Sequence, residues 1–232
     1  MSPLAPHEDA ALSLVDLRQL HAGSGAWLST TEQTRADRFA FERDRRRYIA
    51  GRTALRSLLA AALDCDPAAV ELETTEHGRP VCAALRGDMD FNLSNAEDSA
   101  VIAFARSAPV GVDIEVLRPV SDATELAAQF FSPMEALEIC ALHGMARDHA
   151  FLTCWTRKEA VLKATGLGLY IDPATVVAGT QATAAIVRTT QGTFAVQSQS
   201  MGNAIVSIAT PQSLRTVSVR SFDAATPITS AA

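Results

Sequence analysis

Apolar positions along the chain follow two periods, one close to 3.6 and one of 2, and the switches between them mark out the elements. Leu55, Leu58, Leu59, Ala62 and Leu63 fall at i, i+3, i+4, i+7 and i+8, which predicts an amphipathic helix with one face in a core. Upstream, Ser29-x-x-Glu32 and Thr30-x-x-Gln33 both fit a capping box, so a helix should begin near residue 31. Residues 11–15 read as an N-terminal strand, and Cys65-Asp66-Pro67 ends the amphipathic helix. Residues 70–75 read as a strand, followed by a turn at His77-Gly78-Arg79-Pro80. Phe91-Asn92-Leu93-Ser94 alternates as a half-buried strand does, and residues 100–105 are a continuous apolar run suited to a deeper one.

The second part of the chain has its own pattern. In Val110-Gly111-Val112-Asp113-Ile114-Glu115-Val116 the apolar residues point to one side and the two acids to the other. Residues 121–130 and 132–146 read as helices, the latter with Ser132-Pro133 as N-cap and first helical residue. Residues 148–164 form a further helix, with Gly166 where a left-handed C-terminal residue belongs. After Asp172-Pro173, short strands are predicted at 176–177, 184–187, 194–197, 204–208 and 217–222, and 223–232 is a small-residue tail expected to be disordered. No short internal repeat is visible.

Composition narrows the class. The chain has 232 residues, 48% of them hydrophobic and 20% charged, enough for one large domain or two small ones. Cys65, Cys82, Cys140 and Cys154 show no metal-binding spacing and read as reduced residues of a cytoplasmic protein. The first nine residues lack the cationic start of a secretory signal, and no apolar run is long enough to span a membrane. A net charge of −6 argues against general nucleic-acid binding. Against that background, residues 35–56 carry eight arginines and three acids, which is either a solvated helix face or a surface for phosphate or an acidic partner.

Two stretches carry candidate chemistry. Asp113 and Glu115 share one strand face, so their like charges need solvent or a hard divalent cation between them. In the helix at 148–164, Trp155, Glu159 and Lys163 recur every four residues and share a face. Lys158 and Lys163 are the only lysines beside 18 arginines. A solvated Glu–Lys pair would account for Glu159 and Lys163; so would a site needing a compact point charge.

Taken in order, Gly78-Arg79-Pro80, Phe91-Asn92-Leu93-Ser94, Gly111-Val112-Asp113-Ile114-Glu115, Trp155-Thr156-Arg157-Lys158-Glu159-Ala160-x-x-Lys163 and Gly166-Leu167-Gly168-Leu169 resemble the 4′-phosphopantetheinyl transferases of the large, monomeric Sfp type. The resemblance spans roughly residues 35–172. It implies an α+β fold built as a pseudo-dimer of two similar α/β subdomains, divided here as 1–109 and 110–222, with the site between them. It implies transfer of 4′-phosphopantetheine from coenzyme A to a serine of an apo acyl or peptidyl carrier protein of acidic surface, in the cytoplasm, by a monomer that uses Mg²⁺ or Mn²⁺. By motif, Asp113, Glu115 and Glu159 would ligate the metal. Arg47, Arg52, Arg79, Ser94, Asn95, Lys158 and Lys163 would contact coenzyme A, and Glu159, Lys163 and Asp113 would carry the catalysis. Asn95 stands where many members carry His; it can donate a neutral hydrogen bond but supplies no cation. The general base is left open between Glu159, Asp113 and a water on the metal. Two other classes use the same residues: a Mg²⁺-dependent nucleotide or coenzyme A pyrophosphate hydrolase, and a non-catalytic module that binds coenzyme A.

Overall fold

The computed structural model describes residues 3–5, 7–19, 24–211 and 217–222; the tail predicted at 223–232 lies outside them. The chain opens with β1 (Ala10–Asp16). The capping box at Ser29 forms as its sequence predicts, with Ser29 Oγ accepting from the Glu32 N–H and Glu32 answering to the Ser29 N–H, and it starts α1 (Thr30–Ala36). A turn separates α1 from α2 (Glu42–Leu63), a 22-residue helix whose Leu55, Leu58 and Leu59 are buried. Asp64 takes a left-handed conformation at its end. The strand expected over 70–75 shrinks to β2 (Glu73–Thr74), which pairs with β3 (Pro80–Val81) across the Gly78 turn. The reason is local: Pro67 to Ala69 form a one-turn 3-10 helix, and Val70 is spent accepting a hydrogen bond from Arg56.

β4 (Met89–Ala96) and β5 (Ser99–Arg106) form an antiparallel hairpin, and β5 pairs with β1. β6 (Gly111–Val116) opens the second half. It leads to α3 (Ala123–Phe130), α4 (Pro133–Cys140) and α5 (Gly144–Thr165). The helix expected over 132–146 therefore stops six residues early, and the following one starts four residues earlier than its periodicity suggests. β7 (Ala185–Thr189), β8 (Gly192–Met201) and β9 (Ala204–Pro211) form a meander. Residues 176–177 are not a strand: a 3-10 turn at Pro173–Thr175 takes up the chain there. β10 (Val217–Phe222) does not join this meander. It pairs in parallel with β1, and Arg220 on it bonds Glu8 in the first half.

Two four-stranded sheets result, in the orders β10-β1-β5-β4 and β6-β9-β8-β7. Their inner faces pack on each other through Leu12, Val101 and Ala103 on one side and Val112, Ile114 and Val206 on the other. α2 covers the outer face of the first sheet and α5 that of the second. Each half repeats one topology: a strand, a capped short helix, a 22-residue helix, then a hairpin whose second strand pairs with the opening one. This is the duplication that the family resemblance implied. Among the described residues no helix is long and apolar enough to cross a membrane.

Candidate active site

The edge strands of the two sheets, β4 and β6, meet side by side. Alternation along β4 sends Phe91 and Leu93 to the α2 side and Asn92 and Ser94 to the other. Asn92 Oδ1 accepts from the Val112 N–H at 3.1 Å, and Asp90 Oδ2 from the Val110 N–H at 2.9 Å. These two side chains take up N–H groups at the start of β6, along an edge that no strand pairs. From the other side α5 lies directly on β6. Only glycine permits it: a Cβ at Gly111 would sit 1.9 Å from the Ala160 carbonyl oxygen and 2.4 Å from the Ala164 nitrogen.

That close approach brings the last turns of α5 to the acidic face of β6. Lys163 Nζ lies 2.6 Å from Asp113 Oδ1 and donates to Ser94 Oγ at 3.0 Å and to the Val112 carbonyl at 3.2 Å. Ser94 Oγ in turn donates to Asp113 Oδ1 at 2.7 Å. One residue from each of three elements thus closes a triangle, and Asp113 is buried. Glu115 projects from the same face as Asp113, 3.3 Å from Arg118. Burial pushes the Glu115 carboxyl above the usual carboxylate range against the pull of Arg118, and the Asp113 charge adds to the rise. Burial likewise raises Glu159; Lys163 opposes the rise, and Asp113 and Glu115 reinforce it. Glu159 has no hydrogen bond or ion pair among the described residues, so its charge is offset only at a distance.

Three carboxylates with one lysine and one arginine leave surplus negative charge, and their oxygens are the donors a hard cation such as Mg²⁺ takes. The donor chemistry fits such an ion. Among the described residues, no three acidic, His or Cys side chains are drawn together as a ready metal site. The Lys163 ammonium stands at Asp113, where an ion would also be attracted.

Arg79 reaches this junction from the β2–β3 turn. Its Nη1 donates to the Lys163 carbonyl at 2.9 Å, and its Nη2 bonds Asp90 at 2.6 Å and the carbonyls of Phe91 and Val110. It therefore ties β4, the residue leading into β6 and the end of α5 together, with its Nε buried and unpartnered among the described residues. Its fork is engaged by the protein rather than held open for a ligand.

Other expected contacts lie elsewhere. Lys158 is fully buried, 2.7 Å from Glu135 and donating to the carbonyls of Pro173 and Val176, so it faces the interior and cannot touch a nucleotide as placed. The i,i+1 spacing already separates it from Glu159 by about 100° around the helix. Arg52 is paired with Glu32 at 2.6 Å, and Arg47 with Asp98 at 2.8 Å. Asn95 is exposed and, by alternation, on the face of β4 away from Ser94. Trp155 packs on Phe130 and Phe131, an anchor for α5 as its type suggests. The sequence reading passed over Asn92, Asp90 and Glu135. Asn92 shares the face of Ser94 by alternation, and Ser132-x-x-Glu135 is a capping box, so both could have been found.

Comparison with known proteins bears on the family of the chain. A model of the 4′-phosphopantetheinyl transferase superfamily matches residues 109–209, and a model of the N-terminal part of a 4′-phosphopantetheinyl transferase matches residues 19–107. The chain is 39% identical over 146 residues to the 4′-phosphopantetheinyl transferase HetI of Nostoc sp., covering 62% of each protein. It is 35% identical over 153 residues to a putative 4′-phosphopantetheinyl transferase of Synechocystis sp., covering 66% of this chain and 62% of that one. It is 30% identical over 144 residues to the 4′-phosphopantetheinyl transferase Sfp of Bacillus subtilis, again 62% of each. The aligned part spans under two thirds of the length of these relatives. With two adjoining family models covering both halves, and their boundary falling between β5 and β6 where one sheet gives way to the other, the chain belongs to the 4′-phosphopantetheinyl transferase superfamily, in its two-halved Sfp form.

Proposed function

We propose that this protein transfers the 4′-phosphopantetheine group of coenzyme A to a serine hydroxyl of an apo acyl or peptidyl carrier protein and releases 3′,5′-ADP. The observation that carries the reading is the Ser94–Asp113–Lys163 triangle at the junction of the halves, with Glu115 and Glu159 beside it. In this reaction the serine oxygen forms a bond to the phosphorus that bears the pantetheine. The bond from that phosphorus to the bridging oxygen breaks, and the electron pair leaves with the 3′,5′-ADP. The serine proton goes to a carboxylate. Glu159 suits that role best, since among the described residues it alone of the three acids has no hydrogen-bond or ion partner, and burial raises its proton affinity. Lys163 supplies a point charge to the departing phosphate, and Ser94 a hydroxyl beside it. Asp113, Glu115 and Glu159 would hold Mg²⁺, or Mn²⁺ in its place; such an ion neutralises charge on a diphosphate.

The arginine-rich face of α1 and α2 supports an acidic partner. Arg38, Arg43 and Arg46 there are exposed, around an exposed Phe41. Four free cysteines suit the cytoplasm, and one chain carrying both halves suits a monomer. We divide the chain as 1–109 and 110–211, with β10 assigned to the first half.

The test is intact mass spectrometry of a panel of apo carrier proteins after incubation with the protein, coenzyme A and Mg²⁺. A carrier serine gaining phosphopantetheine supports the reading. Coenzyme A broken down with every carrier unmodified supports hydrolysis instead, and coenzyme A bound but intact supports a binding module.

A further inference from the structure

The two halves share more than topology. In the first, Glu32 closes the Ser29 capping box and takes the Arg56 guanidinium, its Nε and Nη2 both at 2.7 Å. The remaining Nη1 of Arg56 donates to the carbonyls of Pro67 and Val70, at 3.0 and 2.8 Å. In the second, Glu135 closes the Ser132 capping box and takes the Lys158 ammonium at 2.7 Å. Lys158 Nζ donates to the carbonyls of Pro173 and Val176, at 3.0 and 2.6 Å. Both cations are almost wholly buried, at 2% and 0% exposure. Both sit eight residues before a left-handed residue that ends the 22-residue helix, Asp64 in α2 and Gly166 in α5. Both loops that receive them start with an Asp that caps a 3-10 turn, in Asp66-Pro67-Ala68-x-Val70 and Asp172-Pro173-Ala174-x-Val176.

The same lock is therefore built twice, but only one copy adjoins the acidic cluster. Counting back from the helix ends, Ser57 occupies the place of Glu159 and Ala61 that of Lys163. The first half is an internal control: the lock without the chemistry. What differs in the second half is what the lock aims. Lys158 and Glu159 are consecutive, so fixing Lys158 inward fixes the bearing of Glu159 and, one turn on, of Lys163.

We propose that Lys158 is a positioning residue, whose ammonium, locked between Glu135 and the carbonyls of Pro173 and Val176, sets the rotation of α5 and thereby aims Glu159 and Lys163 at Asp113. This rests on the function proposed above for that cluster. Lys158 touches neither substrate nor metal. Glu135 is its counterpart, and α5 is held from the other side by the contact of Gly111 with Ala160 and Ala164.

The test compares Lys158→Met with Arg56→Met, which break the two copies of the lock. Steady-state transfer is measured well below both melting temperatures, and a Mg²⁺-induced shift in melting temperature is measured alongside. Both variants should melt lower than wild type. Lys158→Met should lose about tenfold or more in kcat with KM for coenzyme A nearly unchanged, as positioning residues behind a metal or catalytic group do. Arg56→Met should keep its kcat. The Mg²⁺ shift should be present in wild type and Arg56→Met and lost in Lys158→Met, and Lys158→Arg, which restores the cation used in the other half, should recover part of kcat. The proposal is overturned by a raised KM with intact kcat in Lys158→Met, by equal losses of kcat in the two Met variants, or by an unchanged Lys158→Met. If wild type modifies no carrier, the functional reading fails, and the Mg²⁺ shift alone decides this proposal: its survival in Lys158→Met, or its absence in wild type, overturns it. Should Lys158→Met not fold, Glu135→Gln, which keeps an acceptor for Lys158, is read by the same criteria.

Discussion

Lys163 Nζ and Asp113 Oδ1, 2.6 Å apart, join the last turns of α5 to the first strand of the second half. The pair is set beside the contact of the α5 backbone with Gly111 of β6, and it holds the helix to the strand. Lys163→Met would leave Asp113 buried with only the Ser94 hydroxyl to meet it. We expect a loss of about 1–3 kcal/mol in urea unfolding, below that of a fully buried pair because Lys163 is a quarter exposed. Transfer activity should fall far more than stability does, and Asp113→Asn combined with Lys163→Met should cost less stability than the two single changes added together.

Gly111→Ala tests the close approach. The new Cβ would meet backbone atoms of α5, which cannot turn aside as a side chain would. We expect about 3 kcal/mol of destabilisation in chemical denaturation. An unaltered midpoint would show that α5 does not rest on β6.

Glu159 should trade stability for function. Its carboxyl is raised by burial, so its ionised form is disfavoured in the fold, and the stability present at low pH is lost as pH rises through the raised value. Glu159→Gln should therefore melt about 2 °C higher than wild type at pH 8 without Mg²⁺, and no higher at pH 4. The same variant should show no measurable transfer by mass spectrometry.

Acid should loosen both copies of the lock. Burial pushes Glu32 and Glu135 up, but the cations and backbone N–H groups around them outweigh it, and both carboxyls end below their ordinary value. A depressed carboxyl contributes stability above its unfolded value, near 4.5, and that contribution disappears as pH falls through the folded value. The urea midpoint of wild type should thus fall between pH 6 and 3 more steeply than that of Glu135→Gln. Parallel profiles would count against the ionised lock.

Arg79→Ala removes a cation that bonds β4, the residue that leads into β6 and the end of α5 at once. We expect about 2–4 kcal/mol lost, because Asp90 loses its cation and three carbonyls lose the guanidinium donor. A coenzyme contact alone would raise KM and leave the unfolding midpoint unchanged.

Much of this was legible beforehand. The Ser29 capping box, the Ser132-Pro133 helix start, the Gly166 end and the alternation that puts Asp113 beside Glu115 are local rules, and they hold. The meeting of Ser94, Asp113 and Lys163 depends on which sheet edges face each other, which no local period encodes; the family motifs supplied it. Lys158, expected from the motif to contact coenzyme A, is turned inward: its ammonium is satisfied by an acid from α4 and by two loop carbonyls many residues away. The duplicated Asp-Pro-Ala-x-Val was in plain view, but five residues spaced 106 apart carry little weight until two helices are seen to end over them. Residues 176–177 and 70–75 looked like strands by composition; only Glu73–Thr74 pairs as one, and the carbonyls of Val70 and Val176 accept from buried cations instead.

The pairing of β10 with β1 has a consequence for cutting the molecule. The chain passes between sheets once at residues 107–110 and again before Val217, so severing the first crossing would not set two independent units free. A nick there would leave fragments still laced together by a parallel strand and by the stacked inner faces of the sheets. Such fragments would be complementing partners, each incomplete without the other.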